Sequence, residues 1–84
     1  MTEQQIQSKL IKHFESKGFY VLKLIKTNRN GIPDLLCIKE NRTKFIEVKK
    51  PGGVLSELQK YRIRELRKIG IDAVAMDGID SIVY

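Results

Sequence analysis

At 84 residues the chain suffices for one small domain, 1–84, burying only about 60–65% of its unfolded surface, so dimerisation would add to a modest monomer stability. Sixteen Lys and Arg against ten Asp and Glu leave a net charge of +6, which favours a polyanionic partner, nucleic acid ahead of anionic lipid. The single cysteine, Cys37, excludes a disulfide framework and a cysteine-built metal site within one chain, and without a signal peptide or an apolar run of membrane-spanning length the expected setting is the reducing cytoplasm.

Thr2 as N-cap and Gln5 three residues later form a capping-box pattern, which predicts a helix from Glu3 to Lys17 ending at Gly18. Ile6, Leu10 and Phe14 repeat every four residues and make its apolar stripe. Glu3 projects into that stripe. A carboxylate there either complements the helix dipole in the first turn or points over the sheet toward chemistry. His13, beside the stripe, reads as half-buried and structural. Phe19 to Ile25 is nearly continuous in apolar character, predicting a strand covered on much of both faces. In the polar loop Lys26 to Gly31, Lys26 and Arg29 are candidates for phosphate contact; the plainer reading is a solvated turn.

The stretch from Gly31 to Lys49 reads as two strands joined by the turn Glu40-Asn41-Arg42-Thr43, with Pro33 fixing the start of the first. With Asn41 and Arg42 as the two loop residues, Leu36 faces Glu47 and Asp34 faces Lys49. Side chains alternate between faces, so Asp34, Glu47 and Lys49 share one face at one end of the hairpin. Opposed Cβ atoms lie ~5 Å apart and diagonal ones ~7–8 Å, close enough for two carboxylates to share a divalent cation beside a lysine ammonium. The plain alternative is a surface salt-bridge cluster.

Lys50-Pro51-Gly52-Gly53 stops the strand and predicts a flexible connection. Ser56 and Gln59 form a second capping box, opening a helix that runs to about Ile69 before Gly70. Its expected inner stripe is Leu55, Leu58, Leu66 and Ile69, with Ile63 at one side. Gln59 points inward, where it serves either the cap or the site. Arg62 also falls inside the stripe, to snorkel, reach a phosphate or mark a dimer surface. Lys60, Arg64, Arg67 and Lys68 make the outer face basic, either merely solvated or part of a DNA track. Ile71 to Met76 reads as a buried strand pairing in parallel with the third. Asp77-Gly78 reads as a turn, and Ile79 to Tyr84 stays unassigned. The order is α-β-β-β-α-β, an α/β fold with a mixed four-stranded sheet flanked by helices.

Pro33-Asp34 followed by Glu47-Val48-Lys49 resembles the PD-(D/E)XK nuclease motif. Gly31-Ile-Pro-Asp-Leu-Leu, Glu47-Val-Lys-Lys-Pro-Gly-Gly and Leu55-Ser-Glu-Leu-Gln59, in that order, look like the VRR-NUC domain, the virus-type replication-repair nuclease, over roughly residues 3–76. The resemblance implies Mg²⁺ or Mn²⁺ held by Asp34, Glu47 and the Val48 main-chain carbonyl, with Glu3 completing the site. It implies Lys49 against the attacking water or phosphate and Gln59 nearby in support, making Asp34, Glu47, Lys49 and Gln59 the catalytic set. Lys26, Arg29, Lys50, Lys60, Arg62 and Arg64 are the candidate DNA contacts. The expectation is a structure-specific DNA endonuclease similar to a Holliday-junction resolvase, acting on four-way junctions as a homodimer. The alternatives are a nicking or flap-type nuclease working with a replication or repair partner, and a non-catalytic DNA-binding module.

Overall fold

The computed structural model, which describes residues 1–84, places both helices where their capping boxes start them: α1 spans Glu3–Ser16 and α2 spans Glu57–Lys68. In each, the N-cap hydroxyl (Thr2 or Ser56) accepts from the N3 backbone N–H. The N3 glutamine (Gln5 or Gln59) accepts in return from the N-cap backbone N–H, satisfying two donors that a helix start leaves orphaned. Gly18 and Gly70 follow the C-caps with φ of 88° and 89°, the left-handed conformation that glycine takes without strain.

Five strands form one mixed sheet in the order β1-β2-β3-β4-β5: β1 (Tyr20–Lys23), β2 (Leu35–Lys39), β3 (Arg42–Val48), β4 (Asp72–Gly78) and β5 (Ser81–Ile82). As expected, β4 pairs in parallel with β3, Val48 lying opposite Met76. The sheet has five strands rather than four because Asp77 and Gly78 continue β4. The turn falls at Ile79 and Asp80, after which β5 pairs back along β4. The expectation of a β1 covered on both faces is corrected. β1 is an edge strand paired only with β2, and Tyr20 is 68% exposed because α2 lies over β4 and leaves that part of the sheet open.

Alternation divides the core into two layers. On one face Ile6, Leu10 and Phe14 of α1 meet Leu35, Cys37, Ile46, Val48, Val74 and Met76. On the other, Ile63 of α2 and Leu55 sit on Ala73 and Ala75, with Phe45, Leu66 and Tyr84 packed around them. β4 therefore reads small-large-small-large, and its two alanines let α2 approach the sheet closely. Of the expected inner stripe, Leu55 and Leu66 do pack on the sheet, but Leu58 is 42% exposed and Ile69 71%, and the most buried residue of α2 is Ile63. A helix resting on a single strand buries a narrow line, not a broad face. His13 is half-buried, its ring edge-on to Phe14 at 5.1 Å.

The segment after β3 is a closed turn rather than a flexible connection. The Gly53 N–H donates to the Lys50 carbonyl at 2.8 Å. Pro51 occupies the second position and Gly52, with φ 79°, the third, the arrangement of a type II turn.

Candidate active site

The hairpin register differs from the expected one by two residues. Lys39 pairs with Arg42, Leu36 with Phe45 and Leu35 with Ile46, so the loop residues are Glu40 and Asn41. Asn41 takes the positive φ of 56° that the tight turn demands, which asparagine tolerates. A shift of two conserves the face on which every side chain falls. Continuing the register one step beyond Leu35 sets Asp34 across from Glu47, not across from Lys49.

Backbone anchors Asp34 from both neighbouring strands. Its Oδ2 accepts from the Val48 N–H at 2.8 Å, and its carbonyl accepts from the Leu24 N–H at 2.8 Å. A strand residue's N–H and C=O point to the same side, so the Val48 carbonyl also faces the Asp34 side. Glu47 is 3% exposed and is the one charged residue in the buried set. Burial is the first cause that pushes its carboxyl up to about 8; the charge of Asp34, a side-chain hydrogen bond with Asp34 and the charge of Glu3 raise it further, while Lys49 opposes. Asp34, half-buried, thus stands beside a Glu47 carboxyl that is almost entirely removed from water, which is why the charged form of Glu47 is disfavoured.

Gln59 reaches both neighbours that the sequence posed as alternatives, the cap and the candidate site. Its Oε1 accepts from the Ser56 N–H at 2.9 Å, closing the capping box, while its Nε2 donates to Glu47 Oε2 at 3.2 Å. An amide has an acceptor end and a donor end, and this one uses each on a different neighbour. Lys49 follows Glu47 by two on the same face, half-buried, and belongs to none of the three ion pairs of the chain.

Glu3 stands apart. No three His, Cys, Asp or Glu side chains converge closely enough to hold a metal ion. Asp34 and Glu47 come together as a pair, whereas Glu3 is exposed at the start of α1, a helix packed on the opposite face of the sheet. Its influence reaches Glu47 as charge.

The candidate DNA-contacting cations separate into two groups. Lys26, Arg29 and Lys50 are exposed and enter no ion pair. Those of α2 are engaged within the chain. Lys60 pairs with Glu57 at 3.3 Å, and Arg64 Nη1 donates to the Tyr84 hydroxyl at 2.6 Å. Arg62 Nε donates to the Asn30 carbonyl at 2.8 Å, and its Nη1 meets Glu65 Oε1 at 3.1 Å. The Arg62–Glu65 spacing of three on a helix is a readable ion-pair signal. The Asn30 carbonyl carries no sequence signal at all.

None of the protein's concavities is lined by Asp34, Glu47, Lys49 or Gln59.

Residues 1–80 match the VRR-NUC domain. Among curated proteins, Fanconi-associated nuclease 1 of Danio rerio is 39% identical over 77 residues, a match covering 84% of this chain and 8% of that protein. The chain therefore spans a small fraction of that relative's length. Of solved structures, a VRR_NUC domain superposes with a TM-score of 0.82 at 27% identity, covering 93% of this chain and 87% of the other. A VRR_NUC domain protein superposes at 0.76 and 25% identity, covering 96% and 81%. Sequence and architecture agree across nearly the whole domain: this chain belongs to the VRR-NUC family of nuclease domains.

Proposed function

We propose that this domain is a Mg²⁺- or Mn²⁺-dependent DNA endonuclease that hydrolyses phosphodiester bonds in branched DNA, similar to a Holliday-junction resolvase and acting as a homodimer. The observation that carries the reading is the buried Glu47 carboxyl, across from an Asp34 fixed by the Val48 N–H and itself receiving a hydrogen bond from Gln59 Nε2. Crowded oxygen ligands of this kind suit a hard divalent cation, which prefers carboxylate and carbonyl oxygens and keeps several waters. Asp34, Glu47 and the Val48 carbonyl would hold it, with Glu3 lending charge from the start of α1. A cation bound there activates water and offsets charge on the transferring phosphoryl group.

The chain's own residues do the rest. The Val48 N–H fixes the orientation of Asp34, and Gln59 fixes one Glu47 oxygen. Lys49, free of any ion pair, is available to the phosphate and stabilises charge that grows in the transition state. A site outside the protein's concavities suits a polymer laid against it better than a small molecule enclosed in a pocket. The +6 charge supplies attraction to the phosphate backbone without base reading. A two-fold dimer would present two such sites to the two equivalent strands of a junction.

A second reading is nicking or flap cutting beside a replication or repair partner; the Danio rerio nuclease is much longer than the stretch that matches, which is 8% of it, so in that protein such a domain stands beside other segments. Cleavage of a labelled four-way junction, a flap and a linear duplex in Mg²⁺, Mn²⁺ or EDTA, by wild type and Asp34→Ala, separates the readings. Paired, metal-dependent junction nicks lost in Asp34→Ala are the expected result. Flap cutting alone selects the second reading, and salt-sensitive binding without cutting in either metal leaves a non-catalytic DNA-binding module.

A further inference from the structure

The loop Lys26–Gly31 leads directly to Asp34 and bulges from the sheet edge between β1 and β2. It is not slack. At its neck the Leu24 N–H donates to the Asp34 carbonyl at 2.8 Å. Within it Thr27 Oγ1 donates to the Arg29 carbonyl at 2.7 Å and accepts from the Arg29 N–H at 3.2 Å. Lys26 and Arg29 project from this frame with no ion-pair partner and border a concavity of about 200 Å³ that also involves Leu24, Asn30 and Gly31. That volume is on the scale of a phosphate with its first water molecules.

The far end of the loop is tied to another element. Arg62, on the second turn of α2, donates from Nε to the Asn30 carbonyl at 2.8 Å, while Glu65 at 3.1 Å from Nη1 holds the guanidinium from behind. The guanidinium side chain is 15% exposed, too enclosed to serve as a free surface cation. Next to the bonded carbonyl, Gly31 lies so close to α2 that a Cβ there would meet Leu58 Cγ at 2.6 Å, and its φ is 81°. Two contacts, one polar and one steric, fasten the loop tip to the helix that also carries Gln59.

We propose that Arg62 is a positioning residue that straps the Lys26–Gly31 loop to α2 and so holds Lys26 and Arg29 ready for the DNA phosphate next to the one being cut. The second half of that statement rests on the nuclease reading; the strap itself does not. Arg62 directs Nε at Asn30 and Nη1 at Glu65, and with its side chain 15% exposed it contributes through the loop rather than by touching DNA. Because the neck bond at Asp34 is independent of Arg62, losing the strap weakens substrate binding more than it disturbs the paired carboxyls.

The loop reports on itself, since Lys26-Thr27 and Arg29-Asn30 are trypsin sites. The test compares brief native-state trypsin digestion of wild type, Arg62→Met, which keeps the aliphatic stem, and Arg62→Lys, which keeps the charge. Removing one charge-assisted hydrogen bond is expected to speed cleavage at these two bonds about tenfold in Arg62→Met, with Arg62→Lys in between and other tryptic sites unchanged. On junction or flap DNA, Arg62→Met is expected to raise KM several-fold with kcat within about twofold. Unchanged cleavage at both bonds overturns the strap, whatever happens to DNA cutting. An accelerated loop cleavage with KM unchanged keeps the strap and overturns the phosphate role. Should Arg62→Met unfold, Gly31→Ala loosens the loop tip from the other side with every charge in place, and the same two bonds decide. Failure of wild type to cut any DNA would count against the nuclease reading and leave the tryptic contrast standing.

Discussion

Gln59→Glu separates the two jobs of one side chain. A glutamate at the third helical position still accepts from the Ser56 N–H, so the capping box survives. The donor that stood 3.2 Å from Glu47 Oε2 is replaced by an oxygen facing a buried carboxyl. Losing that hydrogen bond costs about 1.5–3 kcal/mol. Two carboxylates some 4 Å apart repel by roughly 4 kcal/mol at an effective dielectric near 20, part of which is relieved when one of them takes a proton. The net loss in EDTA at pH 8 is therefore about 2–4 kcal/mol, a fall in Tm of roughly 10–20 °C for a domain of this size. At pH 5 the new pair shares a proton and the loss shrinks below about 1 kcal/mol. Ser56→Ala is the control: it removes the cap, costs about 1 kcal/mol at both pH values and leaves the Glu47 bond intact. Circular-dichroism melts of wild type and both variants at pH 5 and 8 measure all of this. Gln59→Glu melting with wild type at pH 8, or indistinguishably from Ser56→Ala at both, would refute the double role.

The carboxyl of Glu47 is raised from 4.5 to about 8, so between those values the folded chain holds a proton that the unfolded chain has released. Stability of the metal-free protein is accordingly expected to fall as pH rises through that window, by an amount on the order of several kcal/mol. Glu47→Gln should flatten the profile, and the account fails if wild type is already flat in EDTA. Adding Mn²⁺ should raise Tm more at pH 8 than at pH 6, because the cation and the proton compete for the same carboxyl; equal shifts would count against metal binding at this pair. Cys37 is fully buried, and burial pushes its thiol up to about 11 with Lys44 opposing. Native-state alkylation should run ~10³-fold slower than in urea, and rapid native labelling would contradict the packing of β2. Ile63 is the completely buried anchor of the smaller core layer, so Ile63→Ala should cost about 2–5 kcal/mol in urea titrations, whereas a loss under ~1 kcal/mol would mean α2 is held by something else.

What was legible in the chain was local. Thr2 with Gln5 and Ser56 with Gln59 announce both helices, because a capping box is a contact between residues three apart. The face shared by Asp34, Glu47 and Lys49 was legible for a different reason. It is a parity property of strands, and a turn misread by two residues preserves it while changing which residue stands opposite which. Coverage was not legible. Phe19 to Ile25 has the composition of a buried strand, yet the position of α2 over β4 leaves Tyr20 and Leu22 open, and nothing local encodes where a helix comes to rest. Arg62 sits on the expected apolar stripe because its partner is a main-chain carbonyl, which any residue at position 30 would offer. For Glu3 helical phase left two readings open and the family resemblance chose the site; phase fixes direction relative to the helix, not which face of the sheet the helix covers.

Ala75 lies opposite Glu47 in the β3–β4 ladder and beneath Ile63 in the smaller core layer. Its methyl group acts as a spacer that sets how far α2 stands off the sheet. A glutamine has fixed reach, and at 3.2 Å its bond to Glu47 has little length to spare. Bulk added at position 75 would lift the helix before it touched any polar group, so Ala75→Val would draw Gln59 away from Glu47 with every ionisable side chain still in place. Selection on the chemistry of this face would then fall on a residue with no chemistry of its own, and the tolerance of the site would be set by the thickness of the smallest side chain beneath it.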